Sequence, residues 1–197
     1  MTLFEYDQKI RERFSVIVGA DEAGRGPLAG DVYAAAVILP PDCVIEGVND
    51  SKKLTEKKRE ALFDEIIERS DSYCIATASV AEIEEMNILN AAMLAMSRAI
   101  EGLAKSYDIA LIDGNKVPNI AGKAVSVVKG DATSQSIAAA SILAKVERDR
   151  YMCELDRLYP EYQFSKHKGY GTKLHYEMIR KYGPSPVHRP SFLKKMH

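Results

Sequence analysis

Two adjacent carboxylates, Asp21 and Glu22, close an apolar β-branched run (Val16, Ile17, Val18), and one cation between two glycines follows at once: Gly24, Arg25, Gly26. Oxygen ligands of this kind suit hard divalent ions such as Mg²⁺ and Mn²⁺. Glycines beside them let the backbone approach a ligand with no Cβ in the way. The combination points to a site that handles phosphate esters. Two further acids end short apolar runs: Asp113 after Ile109-Ala-Leu-Ile112 and before Gly114, and Asp131 after Val125-Ser-Val-Val128 and Lys129-Gly130. If neighbouring strands end at one edge of a sheet, the four carboxylates converge and their repulsion raises some of their pKa values. Two divalent ions about 4 Å apart would relieve that charge and set up in-line attack on a phosphodiester. Each acid also fits a plainer role: Asp113-Gly114 a turn, Asp131 before Thr133 and Ser134 a helix start, Asp21-Glu22 a surface pair.

The elements that must position these residues can be read coarsely. After the first strand, Asp31 to Leu39 reads as a second, stopped by Pro40 and Pro41, and the short connection predicts an antiparallel pair. Thr55 is a candidate N-cap for a helix to about Arg69, and Tyr73 to Val80 reads as a third strand. Met86, Leu89, Met93, Met96, Ile100 and Leu103 follow a 3-4-3-4-3 spacing, which predicts one long amphipathic helix packed on the sheet. Strands at 109–112 and 125–128, a helix from about Ser134 to Tyr159, and a shorter helix near Leu174 to Tyr182 ended by Gly183-Pro184 complete the order. Such an order is an α/β or α+β sheet covered by helices.

Length and composition are those of one ordinary globular domain: 197 residues, 46% apolar and 28% charged, with no repeat or low-complexity tract. No stretch reaches membrane-spanning length. The N-terminus, with Glu5 and Asp7, lacks the layout of a signal peptide, so the chain reads as cytoplasmic. Cys43, Cys74 and Cys153 have no zinc or redox spacing and read as reduced. The net charge of −1 hides an asymmetry, about −7 over residues 1–100 and +6 over 101–197. The basic region from Pro160, interleaved with Tyr162, Tyr170 and Tyr176, fits a polyanion surface and equally a solvated face.

The segment Asp21-Glu22-Ala23-Gly24-Arg25-Gly26-Pro27-Leu28-Ala29-Gly30 closely resembles the signature of the ribonuclease HII (type 2 ribonuclease H) family. Asp50-Ser51-Lys52-Lys53-Leu54, Asp113-Gly114, Lys129-Gly130-Asp131-Ala132, Ala139 to Val146 and His167-Lys168-Gly169-Tyr170-Gly171-Thr172 resemble its other blocks, in the same order and over nearly the whole chain. The resemblance implies an RNase H-like fold, a mixed central sheet flanked by helices with a helical C-terminal extension. It implies an endonuclease that cleaves the RNA strand of RNA–DNA hybrids and incises at single ribonucleotides in duplex DNA, leaving 5′-phosphate and 3′-hydroxyl ends. By position, Asp21, Glu22, Asp113 and Asp131 would hold Mg²⁺ or Mn²⁺. Gly24, Arg25 and Gly26 would sense the ribose 2′-hydroxyl, and Tyr170 would stack on the following sugar. Ser51, Lys52 and Lys53 would contact phosphates, with a solvated turn as the alternative. Ser141 and Lys145, four apart on one helix face, would touch the DNA strand. Residues 1–15 read as a lead-in too short for an extra substrate-binding domain, and 191–197 as a flexible basic tail unlike a sliding-clamp peptide; the chain reads as a monomer. A DNA endonuclease or junction resolvase on the same fold, and a non-catalytic hybrid binder, are the rival readings. The glycine-flanked loop argues against the first and the four acids against the second.

Overall fold

The computed structural model describes residues 1–49, 51 and 54–194. Strand β1 (Ile17–Ala23) pairs antiparallel with β2 (Val32–Ile38) in the register Gly19↔Val37 to Ala23↔Tyr33, as the short connection between them demands. β3 (Ser72–Ala78) continues the antiparallel half on β2, while β4 (Ile109–Asp113) runs parallel to β1 and β5 (Ala124–Val127) parallel to β4. The mixed sheet has the order β3-β2-β1-β4-β5. The acids do not follow β1, as expected from the sequence, but lie within it. Pairing with β2 carries the strand through Asp21↔Ala35 and Glu22↔Ala34.

Helices cover both faces, and strand alternation sorts the core between them. Ala34, Ala36, Val18 and Ala20 pack with Ala91, Ala95, Met96 and Ile100. Ala35 and Val37 pack with Leu62, Phe63, Ile66 and Ala138 to Ala140. The first helix, α1 (Leu3–Arg11), begins with a Thr2–Glu5 capping box, so the supposed lead-in is an ordered element. α2 (Glu56–Arg69) is capped by Thr55, which accepts from the Lys58 N–H. The predicted long helix is α4 (Ile88–Glu101), preceded by a short helix that the sequence reading did not include, α3 (Val80–Met86). Asn87 separates the two at φ 71°, and its side chain accepts from the Leu89 and Asn90 amides to start α4. The apolar spacing places Met86 on the same stripe, although it closes the preceding helix.

α5 (Gln135–Leu158) is the longest element, and Ser134 caps it by accepting from the Ile137 N–H. α6 (Phe164–His167), α7 (Lys173–Tyr182) and α8 (Pro190–Leu193) form the C-terminal part. The segment expected to be a loose tail is docked as far as it is described. The Ser191 amide and hydroxyl both donate to the Glu84 carboxylate, and Phe192 packs against the Arg189 guanidinium. Among the described residues no helix is long and apolar enough to cross a membrane.

α5 crosses β1 at Gly19, where an added Cβ would lie 2.0 Å from the Ser136 carbonyl carbon. Backbone cannot move aside as a side-chain tip can. Gly19→Ala is expected to lower unfolding free energy by about 3 kcal/mol or more, as measured by denaturant titration; a loss under about 1 kcal/mol would show that the helix shifts freely.

Candidate active site

Parallel pairing puts Ala20 beside Ile112, so Asp21 and Asp113, the next residue on each strand, stand together where the two strands end. Asp131 follows β5 in a short 3₁₀ turn, Gly130–Ala132. That turn is tied to Asp113: its Oδ1 accepts from the Gly130 N–H at 2.6 Å and the Asp131 N–H at 3.3 Å. Two strands and a turn thus bring three of the predicted acids to one region of the sheet. Asp21 shares the strand face of Ile17 and Gly19 and is buried towards α5, close to the Ser141 side chain. Glu22 has the opposite parity and reaches an open cavity.

Burial, the Glu22 charge and the Asp113 charge push the Asp21 carboxyl well above the usual carboxylate range, against the Ser141 and Glu22 N–H hydrogen bonds. Burial also raises Glu22, opposed by Arg25, whose guanidinium lies 3.3 Å from Oε1. Such crowded carboxylates are costly when ionised. The donor set is oxygen-only and concentrates like charge, so its chemistry fits a hard divalent ion. Among the described residues, no three carboxylate, histidine or thiol groups are drawn into a ready-made cage.

Glu22, Gly24, Arg25, Gly26, Ser51, Ser141, Lys145 and Tyr170 line one cavity of about 480 Å³, together with Ala23, Ile88 and Phe192. The structure therefore brings together most of the residues singled out from the sequence, from four separate chain segments. Lys52 and Lys53, with Asp50, lie outside the described residues. Ser51 is buried and its hydroxyl is 2.9 Å from that of Ser141. These two hydroxyls meet each other at the cavity wall. Lys145 donates to Asp149 at 2.6 Å, and burial lowers its pKa. Its ammonium also sits 5.9 Å from the centre of the Tyr170 ring, which is 42% exposed at the cavity.

Sequence reasoning missed the groups that hold this rim. Arg148 and Arg189 are both fully buried. Arg148 donates to the carbonyls of Ala29, Asp31 and Lys168, and Arg189 to those of Gly24, Arg25, Pro27 and Gly30. Gly24 has φ +99°, and a Cβ there would meet Arg148 Nε at 2.0 Å, so only glycine fits. Arg148 was detectable in principle, because it continues the buried helical stripe of Ser141, Ala144 and Met152. Arg189 carried no such periodic signal. Behind Tyr170, His175 Nδ1 donates to the Tyr170 carbonyl, which leaves Nε2 to accept from His188 Nε2 at 3.0 Å. Burial lowers both imidazoles to about 4, so the pair is neutral at neutral pH. Asp7 completes the support: it accepts from the Ser134 hydroxyl and from the Ser136 amide and hydroxyl, pinning α1 to the start of α5.

A mixed sheet of this order, with acids on adjacent parallel strand ends and a helix laid across the first strand, defines a nuclease of the RNase H-like class. Residues 18–195 match the family Ribonuclease HII. A Ribonuclease HII from Caldicellulosiruptor bescii is 55% identical over 194 residues, covering 98% of this chain and 94% of the relative. The crystal structure of the ribonuclease H2 from Pyrococcus horikoshii OT3 superposes with a TM-score of 0.74 at 28% identity, over 89% of this chain and 93% of that one. The ribonuclease HII of Archaeoglobus fulgidus, solved as a complex with PCNA, gives a TM-score of 0.70 at 25% identity, over 89% of this chain and 94% of that one. The chain belongs to the ribonuclease HII family. It is thereby a metal-dependent ribonuclease H, a hydrolase acting on the RNA of RNA–DNA hybrids.

The raised Asp21 carboxyl has a consequence for stability. A carboxyl with a folded pKa above its unfolded value destabilises the ion-free protein once pH exceeds the unfolded value, and the penalty grows until pH passes the folded value. Asp21→Asn is therefore expected to raise the melting temperature in EDTA by a few degrees at pH 8, with the difference from wild type closing towards pH 4. The histidine pair acts on both proteins alike and cancels in the comparison. Equal melting of the two proteins at pH 8 would contradict the repulsion described here.

Proposed function

We propose that this enzyme incises duplex DNA at embedded ribonucleotides as well as cleaving longer RNA–DNA hybrids, and that Asp21, Glu22, Asp113 and Asp131 are its catalytic acids. The reading is carried by one observation: the Gly24-Arg25-Gly26 loop, Glu22 and Tyr170 face the same cavity. A loop that offers backbone rather than side chain can satisfy both the donor and the acceptor of a 2′-hydroxyl, the group that separates RNA from DNA. A DNA-specific nuclease has no use for such a reader.

The four acids would hold Mg²⁺ or Mn²⁺, two ions during catalysis, which when bound supply charge neutralisation and an acidified water for in-line displacement. Water adds to phosphorus and the P–O3′ bond breaks, leaving a 3′-hydroxyl and a 5′-phosphate. Asp21, the most buried of the four, would be the most constrained ligand, and Glu22, at the cavity, a more adjustable one. Tyr170 would stack on the nucleotide after the ribonucleotide, its ring steadied by Lys145 and Arg148. Ser51 lines the same cavity and would meet phosphates together with Lys52 and Lys53. Ser141 and Lys145, also at the cavity, would touch the DNA strand. The free cysteines among the described residues suit a reducing cytoplasm. We take the chain to act as a single domain and a monomer.

Incision of a duplex with one ribonucleotide, compared with the all-DNA duplex, tests the activity; equal cutting of both would defeat the proposal. Asp113→Asn is expected to cut at least about a thousandfold more slowly while substrate binding stays close to wild type. Retained turnover would remove Asp113 from the catalytic set. Tyr170→Ala should cost on the order of 1–3 kcal/mol at the junction and less within a long hybrid. An equal loss on both substrates would make Tyr170 structural.

A further inference from the structure

Arg189 spends every guanidinium N–H on main-chain carbonyls. Nη2 donates to Gly24 at 2.7 Å and to Gly30 at 2.7 Å, Nη1 to Arg25 at 3.1 Å and Pro27 at 2.8 Å, and Nε to Gly30 at 2.9 Å. No peptide bond among the described residues is cis. In a trans peptide the carbonyl of one residue and the N–H of the next point in opposite directions. Turning the Gly24 carbonyl onto Arg189 therefore turns the Arg25 N–H away from it, and turning the Arg25 carbonyl inwards does the same to the Gly26 N–H. Both residues line the cavity, which Arg189 does not. The third clamped peptide checks this geometry: the Pro27 carbonyl faces Arg189, and the Leu28 N–H points the other way and donates to the Gly169 carbonyl at 2.7 Å. The Gly26–Pro27 peptide has no N–H, and its carbonyl accepts from neither buried arginine.

We infer that Arg189 is the positioning residue for 2′-hydroxyl recognition: by drawing the Gly24 and Arg25 carbonyls inwards it presents the Arg25 and Gly26 amides, beside the Gly26 carbonyl, as a preset donor–acceptor group at the cavity. The inference rests on the proposed reading of this loop as the ribose sensor. The planar five-donor fork is needed because the carbonyls of four residues must be met at once; the ammonium of lysine has three donors on one atom. Arg148 fixes the exit of the same loop through Ala29 and Asp31, and wedges beneath Gly24. The ribose reader is thus set from inside the protein before substrate arrives.

Wild-type protein supplies the first test. The Arg25 and Gly26 amides should exchange with solvent at unprotected rates in the free enzyme; protection of either overturns the inference without any variant. With Ca²⁺ in place of the catalytic ion, a duplex carrying one ribonucleotide should shift both amide resonances, and the all-DNA duplex of the same sequence should not. Identical shifts would sink the ribose-sensor reading itself, whatever Arg189 does. Arg189→Lys should then lose the selective amide shifts and about 10–100-fold in kcat/KM at the ribonucleotide, with all-DNA duplex binding unchanged. Methylguanidinium, and not methylammonium, should restore cleavage to Arg189→Ala. An Arg189→Lys enzyme that keeps both the selective shifts and wild-type cleavage would overturn the role given to Arg189.

Discussion

The close crossing of α5 over β1 sets the positions of nearly every group described above. At Gly19 the two backbones meet with no room for a methyl group, and that contact fixes the height and rotation of a 24-residue helix against the strand carrying the acids. Once the helix is placed, Ser141 falls beside Asp21, Lys145 reaches the cavity, and Arg148 arrives under Gly24. Asp7, from the first helix, locks the same element at its N-terminus. A rigid helix read at intervals of three and four residues thus delivers three kinds of support to one rim.

The buried charges divide into two sets with opposite solutions. Asp21 and Glu22 lie close to Asp113 and repel it and each other, so their ionised state is held at a cost until a cation shares it. Arg148 and Arg189 are buried against main-chain carbonyls, and burial lowers Arg189 to about 9. Carbonyl dipoles satisfy the guanidinium hydrogen bonds without bringing more negative charge near the acids. The carboxylate side is left needing an ion, while the loop side is finished in advance. A metal-dependent enzyme that must bind ion and substrate together benefits from having only one of these two surfaces adjustable.

The C-terminal helices matter for the same reason. The Leu28 amide on Gly169, the His175–His188 pair and Arg189 join α7 and the turn before α8 to the loop after β1. Tyr170 is carried on this joined structure, so the Gly24–Gly26 loop and the ring beside it at the cavity share one support.

Local residue patterns determined much of the framework. The apolar run before Pro40 and Pro41, the Thr55 cap and the Ser134 start are each decided within a few residues, and the structure keeps them. The four acids and the Gly24-Arg25-Gly26 loop were legible too, because strand-end carboxylates and paired glycines are unusual enough to stand out by type and spacing. Local patterns failed where a distant partner decides. β1 runs on through Asp21 and Glu22 only because β2 is there to pair with them. The short helix before Asn87 went unread, because the single backbone angle that separates it from α4 leaves no mark in the apolar spacing. The C-terminal segment is held by Glu84, more than a hundred residues earlier. Tertiary structure alone decided that Ser141 and Ser51 face each other, and that two arginines are turned inwards. A buried guanidinium is stable only where several carbonyls from remote parts of the chain converge, and convergence of that kind has no period along the sequence.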